Sequence, residues 1–270
     1  MPKAVQTVEE GAPELKEGHA YVYSVTGEVK GEIELPKVFS TEYRPDVIRK
    51  DFVASRSNRR QSYGPMARAG MRHSVETWGK GRGVARVQRV KGQSTGAQSP
   101  NNVGGRRAHP PRPEHDWAIK INDKERSMAK ASSIASTASL TLVSARGHVV
   151  EEGVSLPVVL EDGAESLSKS AEVEQMFGSI GILDDIIRAR NGRTVRPGRG
   201  KMRNRRYRQP RGPLVVVSSR ETPLLRSARN FPGVEVCTPS DLNTERLAPG
   251  GSPGRLVVFS RKAIEMLRRD

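Results

Sequence analysis

Alternation of hydrophobic and polar residues predicts a β-hairpin close to the beginning of the chain. Within 20–35, apolar residues alternate with polar ones on both sides of a Thr26-Gly27 turn signal. A helix is predicted to begin at Arg44-Pro45-Asp46, because proline is tolerated in the first helical turn and apolar residues follow it.

Further along the chain, Asn122-Asp123 predicts the cap of a second helix. Apolar residues then recur three and four positions apart, which indicates one buried helical face. The small size of most of them predicts close packing against a sheet. The predicted face consists of Met128, Ala131, Ala135, Ala138 and Leu142.

The second half of the chain alternates between strand and helix patterns. The predicted strands are 156–160, 214–218, 234–237 and 256–259, and the predicted helices are 168–177, 182–189, 223–229, 240–247 and 261–269. The strands are short, continuous apolar runs, as expected where helices cover both faces of a sheet. The predicted fold class is therefore α/β: a layered α/β globular domain with a largely parallel sheet, interrupted by a long extended basic internal loop.

Two stretches break this alternation. Residues 55–113 hold neither a helical nor a strand period, and nine glycines and five prolines punctuate them. Residues 188–212 form a second, shorter stretch of low complexity. The predicted organisation is a globular domain built from 1–54, 114–187 and 213–270, with a basic loop at 55–113 and a second basic segment at 188–212.

The distribution of charge sets these two stretches apart. The chain has a net charge of +16 and a pI near 10.4. Residues 55–113 carry +12 and residues 188–212 carry +11 with no acid, which leaves −7 on the remaining 186 residues. The sequence therefore describes an ordinary acidic domain with two cationic appendages.

Phosphate is the partner that this charge pattern predicts. Arginine, which outnumbers lysine 11 to 2 and 10 to 1 in the two stretches, suits bidentate phosphate contacts and stacking on bases. Tyr63, Trp78 and Tyr207 are placed to stack on unpaired bases. Ordering 59 backbone residues costs roughly 60 to 120 kcal/mol, so a large RNA surrounding the segment is favoured over a short oligonucleotide. A solvated, disordered charge run is the alternative.

Signals for catalysis, cofactors and metals are weak. Gly79, Gly81 and Gly83 lack a preceding predicted strand and the spacing of a dinucleotide-binding turn. The five histidines lack metal-ligand spacing, so contact with RNA or solvent is their predicted role. Cys237 is predicted to be a buried, inert thiol, and Asp184-Asp185 to be surface acids. No catalytic residue, metal site or cofactor is predicted.

The location is predicted from two absences in the sequence. A single cysteine excludes an internal disulfide framework and suits a reducing compartment. No apolar run approaches the roughly 20 residues of a membrane span, and the first 18 residues are acidic and polar rather than signal-like. We expect a cytoplasmic protein with no membrane partner.

Three motifs resemble one family closely. They are WGKGRGVARVQRVK at 78–91, GGRRAHPPRPEHDWAIKINDKERSMAKA at 104–131 and TVRPGRGKMRNRRYRQPRGPLVVV at 194–217. Each is similar to the universal large-subunit ribosomal protein four (the L-four family), in its archaeal and eukaryotic form. With the order of predicted elements, the resemblance spans essentially the whole chain.

The resemblance implies a non-enzymatic structural constituent of the large ribosomal subunit. Its loop would penetrate the large-subunit ribosomal RNA and reach the wall of the nascent-peptide exit tunnel, where it would meet ribosomal protein twenty-two. It implies no small-molecule substrate and no homo-oligomer. The predicted RNA-binding residues are Arg56, Arg59, Arg60, Arg68, Arg72, Trp78, Lys80, Arg82, Arg86, Arg89, Lys91, Arg106, Arg107, Arg112, Arg193, Arg196, Arg199, Lys201, Arg203, Arg205, Arg206 and Arg208.

Two alternatives stay open on the sequence alone. The first is an RNA-modifying enzyme of the methyltransferase kind, whose α/β domain would bind a cofactor beyond the strand ends; the absence of a glycine-rich turn after any predicted strand argues against it. The second is a repressor that binds its own messenger RNA, a role that is compatible with the ribosomal one.

Overall fold

The structure is a computed structural model that describes residue 16 and residues 18–268. It divides into two compact units. The described parts of Met1–Ser55 and Lys120–Asp270 form the first, which we name the sheet unit, and Arg56–Ile119 forms the second, which we name the insert unit.

Strands and helices of the described residues follow the alternation of the sequence. The strands are β1 His19–Tyr23, β2 Val29–Glu34, β3 Val75–Glu76, β4 Arg89–Val90, β5 Val158–Leu160, β6 Thr194–Val195, β7 Tyr207–Arg208, β8 Leu214–Val216, β9 Glu235–Cys237 and β10 Val257–Ser260. The α-helices are α1 Pro45–Asn58, α2 Asp123–Ala135, α3 Leu140–Ala145, α4 Ser170–Ile180, α5 Leu183–Asn191, α6 Pro223–Ala228, α7 Thr244–Leu247 and α8 Arg261–Leu267.

The sheet unit is built on one six-stranded sheet with the order β2-β1-β5-β10-β8-β9. β2 pairs antiparallel with β1, and the other four pairings are parallel. Parallel neighbours need crossover connections, and helices supply them here. The predicted fold class, α/β with a largely parallel sheet, is confirmed, and so is the hairpin at the edge.

Side chains of the central strands alternate between two apolar clusters. Val158 and Leu160 of β5 belong to one cluster, whereas Val159 between them belongs to the other. Helices α4, α5 and α6 cover the first cluster, and α2, α7 and α8 cover the second. Burial on both faces explains why these strands are continuous apolar runs.

Capping residues define where several helices begin. The Asn122 side chain accepts a hydrogen bond from the backbone N–H of Lys124 at 3.3 Å, as predicted for the cap of α2. Ser260 caps α8 in the same way through the N–H of Ala263. α1 begins at Pro45, which confirms the predicted start, but it continues to Asn58 and so enters the predicted basic loop.

The predicted buried face of the second helix is wrong. Met128 is 44% exposed, and the buried positions of α2 are Ala129, Ser132, Ser133 and Ile134. The helix ends at Ala135 and continues as a short 3-10 helix. Serine is a polar residue, yet the Ser133 hydroxyl donates to the Ala129 carbonyl four residues earlier and is satisfied inside the core.

Two further predictions concern the sheet unit: a helix at 240–247, which is interrupted in the structure, and a buried Cys237. The predicted helix at 240–247 is split into a 3-10 helix at Pro239–Asp241 and the short α7. Cys237 is buried as predicted, and burial raises the pKa of its thiol to about 11. In the described ranges, 16 and 18–268, no helix is both long and apolar enough to cross a membrane.

Candidate nucleic-acid interface

The insert unit has 13 basic residues and three acids over 56–119. Ala97 is its only buried hydrophobic residue. Fourteen of the predicted RNA-binding residues lie here, and all are exposed except the half-buried Trp78 and Arg89. The unit therefore presents its charge outward and has almost no core of its own.

The centre of the insert unit is a small antiparallel ladder. β3 pairs with β4 through Val75 opposite Val90 and Glu76 opposite Arg89. The guanidinium carbons of Arg82 and Arg89 lie 5.5 and 5.0 Å from the centroid of the Trp78 ring. Both distances suit cation–π attraction, so these predicted residues form one group.

Arg89 also has a role inside the protein. Its guanidinium donates to the carbonyls of Ser94 and Ala85, the latter at 3.4 Å. Part of its hydrogen-bonding capacity is therefore used to hold the turn after β4.

The glycines between β3 and β4 lie on an open connection. Gly79, Gly81 and Gly83 all have positive φ, and a Cβ at any of them would meet nothing within 4 Å. The expectation that no strand precedes them was wrong, since β3 ends three residues earlier. No helix follows them, however, so they do not form a dinucleotide-binding turn.

The outgoing and returning passes of the insert unit run against each other. A Cβ on Gly70 would come within 2.6 Å of the Arg106 backbone nitrogen, and a Cβ on Gly64 within 2.8 Å of the Pro111 carbonyl oxygen. Glycine at these positions lets the two passes touch. The amide of Gln98 adds hydrogen bonds to the carbonyls of Met71 and His73, both at 3.0 Å.

An aromatic cluster lies near the two ends of the insert unit, the part that we call its base. Tyr63 lies nearly parallel to Trp117 with ring centroids 6.0 Å apart, and His115 meets Trp117 edge to face at 4.4 Å. The guanidinium carbon of Arg60 lies 3.6 Å from the centroid of the Trp117 ring. Trp117 was missed as a candidate site residue, although a tryptophan shortly after Pro110, Pro111 and a cationic stretch was a usable signal. His115 was predicted only to contact RNA or solvent.

The second basic segment folds as a hairpin in the sheet unit. β6 and β7 pair antiparallel, and a 3-10 helix at Arg199–Arg203 lies between them. Arg196 donates to the carbonyls of Arg205 at 3.1 Å and Tyr207 at 3.3 Å. The other predicted residues of this segment are exposed, and two of them flank the Tyr207 ring: Arg193 at 4.1 Å and Arg206 at 5.5 Å from its centroid.

A buried ionic network holds the start of this segment. Asp185 on α5 is 0% exposed and contacts Nδ1 of His148 at 3.0 Å and Nε of Arg188 at 2.9 Å. Arg188 also donates to the Arg211 carbonyl at 2.8 Å, which joins the two ends of the segment. The predictions of a surface Asp185 and of a solvent- or RNA-facing His148 were therefore wrong.

Two opposing effects act on Asp185. Burial alone would raise the pKa of its carboxyl group, but the hydrogen bonds from His148 and Arg188 outweigh burial and hold the pKa below its ordinary value. The carboxylate is thus charged at neutral pH and pairs with the arginine.

A buried arginine holds the end of the segment. Arg255 is fully buried, donates to the Gly212 carbonyl at 3.1 Å and pairs with Glu235 at 2.6 Å. Its burial was not predictable from the sequence, because a lone arginine before an apolar strand is ordinarily exposed. Its bond to Gly212 ties the last residue of the basic segment to the chain that enters β10.

The fold and these two cationic segments define the class of protein: a layered α/β protein that carries arginine-rich extensions suited to a polyanion. In the described part of the chain, no group of three or more His, Cys, Asp or Glu side chains is arranged to hold a metal ion.

Comparison with known proteins gives the family. The model of the ribosomal protein L4/L1 family matches residues 33–270. Three similar proteins are each called large ribosomal subunit protein uL4. The one from Thermoplasma acidophilum is 45% identical over 247 residues, 92% of this chain and 96% of its own. The one from Methanosphaera stadtmanae is 46% identical over 246 residues (91% and 95%), and the one from Methanocaldococcus jannaschii is 47% identical over 249 (92% and 98%).

The chain therefore belongs to the ribosomal protein L4/L1 family, and the resemblance found in its three motifs is confirmed. As a member of this family it is a structural, non-enzymatic ribosomal protein that serves translation. The methyltransferase alternative is thereby excluded.

Proposed function

We propose that this protein is a structural constituent of the large ribosomal subunit and binds the large-subunit ribosomal RNA through its two basic segments. The observation that carries the proposal is the partition of charge, +12 and +11 on two segments against −7 on the rest of the chain. The names of the relatives support the same subunit. The ribosome in which it acts is cytoplasmic.

The exposure of the basic side chains supports phosphate contact. Over 56–119 the only acids are Glu76, Glu114 and Asp116, so internal neutralisation is slight. Lys91 lies 3.9 Å from Glu76, an exposed pair that contributes little. Cationic groups of this kind gain affinity by releasing counterions from nucleic acid.

The lack of a core in the insert unit supports the proposal that RNA surrounds this unit. Two-residue strands and one buried hydrophobic side chain, Ala97, cannot offset the entropy of ordering some 60 residues. Contacts from outside have to do so. The open Gly79, Gly81 and Gly83 leave room for a phosphate backbone to approach the main chain closely.

The connection between β3 and β4 is the part we assign to the exit tunnel. By resemblance to the family, residues 78–91 lie at the tunnel wall near ribosomal protein twenty-two, with Lys80, Arg82, Arg86 and Arg89 on the RNA. Arg106, Arg107 and Arg112 hold the returning pass, and the β6–β7 hairpin meets a second RNA surface. The protein acts as a single copy and does not form a homo-oligomer.

Sedimentation of cell extract through a sucrose gradient tests the proposal. The tagged protein is expected almost wholly with large subunits and with assembled ribosomes. Recovery mainly as a free species would contradict it. A variant with Arg203, Arg205 and Arg206 changed to Ala should shift toward the top of the gradient, whereas changing the exposed Arg226, Arg229 and Lys262 of the sheet unit should not.

A further inference from the structure

The base of the insert unit contains a cavity that the proposed function leaves unassigned. It is an open cavity of about 600 Å³, and its lining includes Tyr63, Pro110, Pro111, Glu114, His115 and Trp117. Rings and prolines form its walls, and most of these residues are exposed or half-buried. A cavity of this volume is large enough for a flat heterocycle.

The aromatic walls are held in place before any ligand arrives. The Ser57 hydroxyl donates to the Trp117 carbonyl at 2.5 Å, and Arg60 covers the Trp117 ring at 3.6 Å. Tyr63 is 53% exposed, so part of its ring stays open for stacking. Nε1 of Trp117 is buried without a hydrogen-bond partner among the described residues.

Glu114 is the unusual member of the cavity. It lies in a unit with 13 basic residues, yet among the residues that the structure describes it has no ion-pair partner within 4 Å. The nearby Asp116 is different, since its carboxylate accepts from the Ala118 N–H at 2.8 Å and serves the backbone. A free carboxylate repels phosphate, so its presence beside stacking rings indicates recognition of hydrogen-bond donors.

We propose that this cavity binds one unpaired guanine base of the RNA. The base stacks on the open face of Tyr63, and the Glu114 carboxylate accepts the N1–H and the exocyclic N–H of guanine in parallel. Guanine alone among the four bases offers two adjacent donors on its Watson–Crick edge. Arg60 and Arg112 flank the site and neutralise the neighbouring phosphates. The inference rests on the proposed function and adds the base that the insert unit selects.

The test measures binding of short RNAs to the full chain. The chain has two tryptophans, so every comparison is made in a Trp78→Phe background, in which Trp117 is the only indole that fluoresces. Seven-nucleotide oligouridine RNAs carry guanine, adenine or an abasic site at the centre. We expect the guanine RNA to quench Trp117 and to bind on the order of tenfold more tightly than the abasic RNA.

Matched carboxylate variants separate recognition from charge. Glu114→Gln should reduce the preference for guanine over adenine to within about twofold, because an amide offers one acceptor in place of two. Glu76→Gln makes the same change of charge in the same unit but lies outside the cavity, at β3, and should keep the preference. Equal effects of the two variants would overturn the proposal.

Three further outcomes would also overturn it. Equal affinity for the guanine and abasic RNAs, with strong binding of a long ribosomal RNA fragment, would overturn the base site and leave the proposed function standing. Failure to bind either the short or the long RNA would overturn both. Quenching of Trp117 by a proline-rich peptide but by none of the RNAs would show a protein ligand and so also overturn it.

Discussion

Asp185 is the residue on which the start of the second basic segment depends. Its carboxylate is fully buried and contacts His148, Arg188 and the backbone N–H of Val149, the last at 3.1 Å. Removing one partner of a buried charged pair leaves the other uncompensated, which is more costly than never having built the pair.

We expect Asp185→Asn to lower the free energy of unfolding by about 3 to 5 kcal/mol near neutral pH, measured by urea denaturation. The neighbouring Asp184 is exposed, and Asp184→Asn should change it by no more than about 0.5 kcal/mol. Equal losses in both variants would contradict the role given to the buried carboxylate.

The effect of Asp185 also depends on pH. Because the pKa of this carboxyl group is lowered in the folded state, its contribution is fully present above the ordinary carboxyl pKa and is lost as pH falls through the lowered value. The difference between wild type and Asp185→Asn should therefore shrink on acidification. A difference that grows toward low pH would contradict the assignment.

The roles of single residues were the least predictable from the sequence. Asp184 and Asp185 are adjacent and point in different directions on α5, and nothing local tells which of them faces the core. The answer depends on His148, which is 37 residues away in the chain. Trp117 was missed for a similar reason, since its partners Arg60 and Tyr63 join it only after the chain returns.

The β6–β7 hairpin shows how a short element is held without apolar packing. Its strands are two residues long and exposed. Arg196 compensates by donating to two carbonyls across the hairpin. An arginine that appears in the sequence as one of eleven cations thus has a separate structural role.

We expect Arg196→Ala to accelerate amide hydrogen exchange across 194–208 on the order of tenfold in the free protein, because two hydrogen bonds worth about 1 kcal/mol each are lost. Arg199→Ala removes an equal charge from an exposed site in the same hairpin and should leave exchange unchanged. Identical exchange in the two variants would show that Arg196 serves only the RNA.

Element boundaries were predictable where a period or a cap exists. The edge hairpin, the starts of α1 and α2 and the strands of the parallel sheet follow from such signals. β3, β4, β6 and β7 have no period, because two residues cannot express one. The buried face of α2 was misplaced, since hydroxyls that bond to their own helix are indistinguishable in sequence from exposed ones.

At the scale of the whole molecule, the two units differ in how their shape is maintained. The sheet unit has two apolar clusters that cover both faces of a six-stranded sheet. The insert unit has one buried hydrophobic residue, Ala97. Composition and charge predicted a globular domain with two basic segments, and no pattern of charge predicts which bases such segments contact.

We expect limited trypsin digestion of the RNA-free protein to cut within 56–112 first, while most of the sheet unit survives, because the insert unit has no core to resist local opening. Mass spectrometry of the fragments gives the sites. A ribosomal RNA fragment should slow these cuts. Uniform resistance of the RNA-free protein would contradict the expectation that RNA maintains the order of this unit.

The salt dependence of the affinity for RNA should report the number of phosphates that the insert unit contacts. Changing Lys80, Arg82 and Arg86 to Ala should reduce the slope of log affinity against log salt for a ribosomal RNA fragment by about 2 to 3. The same number of alanines at Arg226, Arg229 and Lys262 on the sheet unit should leave the slope unchanged. Equal reductions would place the RNA on both sets of residues.

The chain leaves the sheet unit through α1 and returns to it through α2, and this arrangement bears on how such proteins diverge in length. α1 leads out and α2 leads back, and Lys50 pairs with Glu125 between them at 2.8 Å. Because the insert unit begins and ends at two helices that contact each other, it can gain or lose residues without disturbing the strands of the sheet unit. Insertions and deletions among relatives are therefore expected in the insert unit rather than in the strands of the sheet unit.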